Sequence, residues 1–137
     1  IAKITNNKKY LNKAITVVLK ENIRDSHRMY NDPYYFKKLK AMIYYLNDDL
    51  KKKKIHMVLV ISPQLLDLTE GNYDSVSKFY KQIGKKIFCL DLYNKIKNKE
   101  FKKYYFKDIY GGHFNKSGNK LISKILFNYF KSKNIIW

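Results

Sequence analysis

The stretch Ile55-His-Met-Val-Leu-Val-Ile61 is apolar except for one histidine and is rich in β-branched side chains. A short continuous run of this kind is typical of a strand covered on both faces, as in a parallel sheet. Ser62-Pro63 follows it directly and ends the strand at its carboxyl end. A second apolar run, Ile87 to Leu92, predicts another buried strand. The sequence therefore predicts a parallel sheet that contains these two strands.

Apolar residues at helical spacing surround both predicted strands. The order helix, strand, helix, strand, helix predicts an α/β fold with right-handed crossovers, and 137 residues suit a single domain, 1–137. Two buried strands are too few for a complete parallel sheet. The predicted elements are a helix over 1–22, a loop over 23–31, a helix starting at Asp32-Pro33 and reaching Lys51–Lys54, a helix from Asp74 to Ile83 ended by Gly84, a Lys-rich connection from Tyr93 to Lys107, and a last helix marked by residues 121–130.

The chain is strongly basic, with 29 Lys and Arg against 11 Asp and Glu, and a net charge of +18. Such a charge favours nucleic acid or an anionic membrane surface as a partner. However, Arg24 and Arg28 are the only arginines, and the lysines are spread along the whole chain. Phosphate and base recognition favours the bidentate guanidinium over lysine. We therefore predict no specific nucleic-acid partner.

Cysteine and histidine counts restrict the other kinds of site. Cys89 is the only cysteine, so the chain cannot form an internal disulfide or a cysteine zinc site. The three histidines are scattered without the spacing of metal ligands. We predict no metal and no cofactor. The sequence also lacks a run of ~18 uninterrupted apolar residues, so no membrane span is predicted.

One segment has residues typical of a catalytic site: Asp108-Ile-Tyr-Gly-Gly-His113-Phe-Asn115-Lys-Ser-Gly118. It places a histidine in a glycine-containing loop just before an amphipathic helix, with an aspartate five residues upstream. A histidine oriented by an aspartate is the base half of a hydrolytic triad. Asn115 is equally well explained as the N-cap of the last helix.

The pattern His113-x-Asn115-x-x-Gly118, after a buried strand and before a terminal helix, resembles the end of the SGNH (GDSL-type) hydrolase family. The two predicted strands resemble that family's last two core strands. The resemblance implies a flavodoxin-like parallel sheet with flanking helices, incomplete in this chain, which would form the C-terminal part of the domain. It implies a serine-dependent ester hydrolase or acyl transferase acting on an ester or acylated substrate.

The same resemblance implies roles for individual residues. His113 would be the general base for a serine, and Asp108 would orient it. The family usually places its aspartate closer to the histidine, so Asp91 at the end of the second predicted strand is the alternative. The chain shows no Gly-Asp-Ser-like nucleophile turn. A missing N-terminal half would supply the serine, the oxyanion donors and further strands.

Other combinations have simpler interpretations. Ser62 is a weak candidate nucleophile because the proline after it is typical of an ordinary turn. His27 has Asp25 and Ser26 beside it, but side chains of neighbouring residues rarely converge. Two alternatives to an active hydrolase stay open: a non-enzymatic lysine-rich module that binds nucleic acid or anionic membrane, and a degenerate SGNH scaffold.

Overall fold

The computed structural model describes residues 8–70, 73–98, 100–107 and 112–135. Over these residues the chain is mostly helical and contains a small parallel sheet of two strands, which makes it broadly α/β. Within the same residues, none of the helices is both long and apolar enough to cross a membrane.

Two long helices open the described chain. Helix α1 spans Lys8–Asn31 and helix α2 spans Pro33–Lys52. Asp32 lies between them in extended conformation, and its carboxylate accepts hydrogen bonds from the backbone N–H groups of Tyr34 and Tyr35 at 2.8 and 3.3 Å. The predicted N-cap is therefore confirmed, with Pro33 at the first helical position.

The predicted loop over residues 23–31 is wrong, because these residues continue α1 to Asn31. The reason lies in their spacing. Ile23, His27 and Tyr30 are four and three residues apart and so share one helical face. His27 is buried, and Ile23 and Tyr30 are half-buried. The apolar pattern alone ends before His27 because the core position at residue 27 is occupied by a polar side chain.

The two predicted strands exist but are shorter than their apolar runs. Strand β1 spans Val58–Ile61 and strand β2 spans Phe88–Asp91. They pair in parallel, with Val58 opposite Phe88 and Ile61 opposite Asp91. Val60 is 38% exposed, so the expectation that β1 is covered on both faces is wrong over the described residues.

Two helices connect the strands. Helix α3 spans Leu65–Glu70, and helix α4 spans Asp74–Ile83 with the predicted bounds. α4 is amphipathic: Ser75, Val76, Phe79 and Ile83 are buried along one face, and the helix carries the centre of the core. Gly84 follows it with an ordinary right-handed backbone, φ −62°. The buried cluster consists of Phe79, Ile83 and Ile87, and the partly buried residues packed against it are Tyr30, Phe36, Leu39, Ile43, Tyr44, Met57, Leu59 and Tyr80.

The chain after β2 is not one irregular connection. It forms helix α5 over Tyr93–Ile96, a 3-10 turn over Phe101–Tyr104, and the last helix, α6, over Lys116–Ser132. Helix α6 begins earlier than residue 121, where the apolar pattern starts, because the first turn is fixed by its cap rather than by burial of apolar side chains.

Candidate functional site

The loop that carries His113 is held by backbone contacts on its C-terminal side. Tyr105 and Phe114 form an antiparallel bridge, and their rings lie 4.6 Å apart between centroids. The backbone N–H of Phe106 donates to the carbonyl of His113 at 3.0 Å. The His113 side chain is exposed. The structure therefore presents this imidazole to solvent from a fixed backbone.

Asn115 fixes the same loop with its side-chain amide. Its Oδ1 accepts from the backbone N–H of Gly118 at 3.0 Å, as an N-cap of α6 does. Its Nδ2 donates to the carbonyls of Lys103 and Tyr105 at 2.8 and 2.9 Å. Both ends of the amide are thus engaged with the backbone. Of the two interpretations of Asn115, capping is the one the structure supports.

Gly118 is required by the close approach of α6 to the 3-10 turn. A Cβ at this position would lie 2.2 Å from the carbonyl oxygen of Tyr104 and 2.9 Å from Cβ of Phe114. The backbone N–H of Asn115 donates to that same Tyr104 carbonyl at 2.9 Å. The asparagine and the glycine of the His-x-Asn-x-x-Gly pattern therefore serve one purpose, which is to hold the backbone next to His113.

A buried tyrosine joins the His113 loop to the sheet. The Tyr105 side chain is 2% exposed, and its hydroxyl donates to the carbonyl of Pro63 at 2.8 Å. Pro63 follows β1 by two residues, so the loop is anchored at the carboxyl end of that strand. Burial raises the pKa of Tyr105, which keeps its hydroxyl protonated as a donor. Functional groups of α/β proteins gather at this end of a parallel sheet.

Of the two aspartates proposed to orient His113, the structure describes only Asp91. Asp108 lies outside the described residues, and so does Gly111. Asp91 is described: its carboxylate accepts from the backbone N–H of Tyr93 at 2.9 Å and from Nδ2 of Asn94 at 2.8 Å. Among the described residues, no hydrogen bond or ion pair joins Asp91 to the His113 side chain. Asp91 instead closes the turn between β2 and α5.

The environment of Asp91 favours its protonated form more than water does. Burial raises the pKa of this carboxyl group, and the hydrogen bonds from the turn oppose that rise without cancelling it. The hydroxyl of Tyr73 is a further donor at 3.5 Å, and burial and the charge of Asp91 raise the pKa of Tyr73. This carboxyl group is engaged in a structural network.

A buried His–Asp pair was not predicted from the sequence. Nε2 of His27 lies 2.8 Å from Oδ1 of Asp67, and Oδ2 of Asp67 accepts from the backbone N–H of Gln64 at 2.7 Å. The pair joins α1 to the start of α3. Asp25 forms an ion pair with Arg28 instead, so the adjacent residues Asp25, Ser26 and His27 do not form a catalytic triad. Forty residues separate the two partners, and no local pattern could have linked them.

This pair does not form a triad in the structure. Ser62 lines the same cleft of about 290 Å³ as His27 and Asp67, at the carboxyl end of β1. However, no hydrogen bond between the described residues joins Ser62 to His27. Asp67 occupies Nε2, the nitrogen that faces the serine in a triad, and Nδ1 of His27 is buried without a hydrogen-bond partner among the described residues.

The described residues offer no other obvious reactive centre. Among them, no group of three or more His, Cys, Asp or Glu side chains could hold a metal ion. Cys89 is a free thiol in β2, and burial together with the charge of Asp91 raises its pKa to about 11. A thiol with such a pKa is a poor nucleophile at neutral pH because little thiolate forms.

Comparisons with known proteins found no relative of this chain. No family model, no curated protein and no solved structure matches it.

Proposed function

We propose that this chain is the base-bearing part of a serine-dependent ester hydrolase or acyl transferase of SGNH type. One observation carries the proposal: an exposed histidine, His113, stands on a loop whose backbone is fixed by Asn115 and Gly118. Tyr105 anchors that loop at the carboxyl end of a parallel strand. A general base needs this combination, because it must be open to substrate and yet held in one place.

The proposed reaction uses His113 as a proton carrier. A serine hydroxyl attacks the carbonyl carbon of an ester or acyl group while His113 accepts the hydroxyl proton. The tetrahedral intermediate then collapses, the bond to the leaving oxygen breaks, and the imidazolium returns the proton to that oxygen. Asp108 is the proposed carboxylate that stabilises the imidazolium. No step needs a metal or cofactor.

The open edge of β1 supports a serine that comes from outside these 137 residues. The backbone N–H of Leu92 donates to the carbonyl of Ile61 at 3.0 Å, so Ile61 and Leu59 face β2. Backbone groups alternate in direction along a strand, so those of Val58 and Val60 face away from β2. None of the described residues hydrogen-bonds to those groups. Further strands of a flavodoxin-like sheet would pair there.

The opposite edge of the sheet is partly covered, which makes the two edges different. The hydroxyl of Tyr129, on α6, donates to the carbonyl of Cys89 in β2 at 3.1 Å. Among the described residues, α6 therefore covers part of the β2 edge, whereas no backbone partner lies along the β1 edge. Additional strands at β1 would bring a nucleophile turn and oxyanion donors to the same end of the sheet as the His113 loop.

The test is labelling with a fluorophosphonate probe, which reacts with activated serines. The native protein, purified without denaturation and with any polypeptide bound to it, is labelled and then mapped by mass spectrometry. We expect the label on a serine outside residues 1–137, with labelling lost in His113→Ala and retained in the matched control His56→Ala. His56 is exposed too, but it precedes β1 at the other end of the sheet.

Three results would contradict the proposal. Label on Ser62 would place the nucleophile within this chain. Label that survives His113→Ala would remove the base from the mechanism. Absence of label would favour a degenerate scaffold or a lysine-rich binding module, and the latter predicts salt-dependent polyanion binding that is unchanged in His113→Ala.

A further inference from the structure

We propose that the apolar groove between α1 and α2 binds the alkyl chain of an acyl group, which makes an ester of a medium-length fatty acid the substrate class of the proposed hydrolase. The groove has a volume of about 350 Å³ and is formed by the end of α1 and the first half of α2, on either side of Asp32. This assignment rests on the proposed function for the reaction, whereas binding of the chain is measurable without any reaction.

The floor of the groove belongs to the hydrophobic core. Tyr30, Phe36 and Leu39 line the groove and pack against the buried cluster that includes Phe79. The rings of Tyr30 and Phe36 lie 5.3 and 4.9 Å from the ring of Phe79 between centroids. Packing against the core holds these side chains in place, so the floor is formed before a ligand binds.

The rim of the groove is apolar and accessible. Met29, Tyr35 and Met42 line it and are between 47% and 61% exposed. Ser26 and Lys38 are the polar residues among the described lining. Methionine is unbranched and adapts its shape to irregular partners. A rim with two methionines therefore suits a flexible alkyl chain, which has no polar group to satisfy along its length.

The groove continues into the polar cleft at the carboxyl end of β1. Ser26 and Tyr30 line both, and the cleft, of about 290 Å³, also contains Ser62. Tyr30 lies at the change of polarity. Its ring contacts the core below the groove, whereas its hydroxyl lies 3.2 Å from the hydroxyl of Tyr80, which lines the cleft. Apolar and polar surfaces therefore follow each other along one continuous depression.

This order of polarity matches an acyl ester, in which an apolar chain leads to a polar carbonyl and ester oxygen. With the chain in the groove, the ester group would lie in the cleft at the carboxyl end of β1. The hydroxyl of Tyr105 donates to the carbonyl of Pro63 at the same end of the strand, and this bond anchors the loop of His113 there. A short acyl group would not reach the groove and would lose its contribution to binding.

The dimensions of the groove favour a single chain over a protein segment. On α2 the lining extends from Tyr35 to Met42, which is about 10 Å along the helix axis. The volume lies near the lower end of the roughly 300 to 1,000 Å³ of small-molecule pockets. A helix is about 10 Å in diameter, so only part of one could enter, whereas an alkyl chain is narrow enough to be enclosed on most sides.

The binding test is titration of the native protein with 1-O-hexyl-, 1-O-octyl- and 1-O-decylglycerol, each below its micelle concentration. These ethers are not hydrolysed, and they are uncharged, which excludes attraction to the lysine-rich surface. Binding is followed by calorimetry and by the ¹³C resonances of the methionine methyl groups. Met29 and Met42 line the groove, whereas Met57, the third methionine of the chain, precedes β1 at the other end of the sheet and is the internal control.

Two double variants with matched exposure separate the groove from other apolar surface. Tyr35→Ser/Met42→Ser removes an aromatic and an aliphatic side chain from the rim. Val18→Ser/Phe127→Ser removes the same kinds of side chain from places outside the groove. All four side chains are between 47% and 61% exposed, so neither variant disturbs the core. Circular dichroism verifies that both variants are folded.

We expect saturable binding that strengthens about twofold with each added CH₂ group, because full burial of one CH₂ corresponds to about fourfold and the groove is open on one side. The methyl resonances of Met29 and Met42 should shift, and that of Met57 should not. The groove variant should bind the decyl ether about tenfold more weakly, and the surface variant should change affinity less than about twofold. Binding that is independent of chain length, equal weakening in both variants, or unmoved resonances of Met29 and Met42 would overturn the inference.

Labelling rates connect the groove to the reaction. In the native protein, a decyl fluorophosphonate should label the reactive serine about tenfold faster than an ethyl fluorophosphonate, and Tyr35→Ser/Met42→Ser should remove that preference. Equal rates for the two probes would overturn the substrate class. If neither probe labels a serine, the proposed hydrolase is contradicted, and the titration with the ethers alone decides whether the groove binds a chain.

Discussion

Replacing Gly118 by alanine tests whether the His-x-Asn-x-x-Gly pattern is a packing requirement. The new Cβ would lie 2.2 Å from the carbonyl oxygen of Tyr104, more than 1 Å inside the roughly 3.5 Å at which non-bonded atoms attract each other. The atom it meets is backbone, so rotation of a side chain cannot relieve the contact. The 3-10 turn and α6 would have to separate by about 1 Å at this point.

That separation sets the magnitude of the effect. Moving the Tyr104 carbonyl by about 1 Å breaks its 2.9 Å hydrogen bond from the Asn115 N–H and strains the two bonds from Asn115 Nδ2 to Lys103 and Tyr105. Three such bonds contribute about 3 kcal/mol in all. Alanine is favoured over glycine in a helix by about 1 kcal/mol, which offsets part of the loss. We expect Gly118→Ala to lower the free energy of unfolding by about 2 kcal/mol.

The assay is equilibrium unfolding in urea, with Ser117→Ala as the matched control. Ser117 is the exposed neighbour in the same first turn, so its replacement should change stability by less than about 0.5 kcal/mol. If the two variants unfold at the same midpoint with the same slope, the close approach of α6 to the 3-10 turn does not exist in solution. The explanation of the pattern would then fail.

Three further perturbations test other parts of the structure. Asp67→Ala removes the partner of buried His27 and should lower the free energy of unfolding by about 3 kcal/mol, whereas the surface change Asp25→Ala should lower it by less than about 0.5 kcal/mol. Similar urea midpoints for the two variants would contradict the buried pair. Tyr105→Phe removes the hydrogen bond from the Tyr105 hydroxyl to the Pro63 carbonyl, which should lower the free energy of unfolding by about 1 kcal/mol and speed amide hydrogen exchange in the loop 112–115. Unchanged exchange in this loop would refute the anchoring role. Cys89 should react very slowly with a thiol reagent at pH 8 and faster only as the pH approaches its raised pKa of about 11, because burial suppresses the thiolate. Rapid labelling of the folded chain at pH 8 would show that the thiol is not shielded.

Part of the fold follows from local sequence alone. The cap at Asp32 and Pro33, the bounds of α4, and the two apolar runs that form β1 and β2 depend on neighbours in the chain, and the structure confirms them. Capping, helical periodicity and continuous apolar runs act over a few residues, so they are visible before any tertiary contact is known.

The prediction for residues 23–31 failed because one position of the buried helical face is a polar residue, His27. A polar residue such as His27 interrupts the apolar pattern, but Asp67 provides a buried partner that makes the histidine a core residue of α1. A polar side chain is stable inside a protein when its hydrogen bonds are satisfied there. Such a partner, forty residues away, cannot be inferred from the sequence around His27.

The sequence by itself determined that His113 lies in a loop before the last helix, and that Asn115 is suited to cap that helix. Only the tertiary structure decided why Gly118 is needed, how Tyr105 anchors the loop to the end of β1, and that His27 pairs with Asp67. The physical reason is the range of the interactions. Caps and periodicity act between residues close in the chain, whereas close packing, buried hydrogen bonds and clefts depend on which distant segments meet.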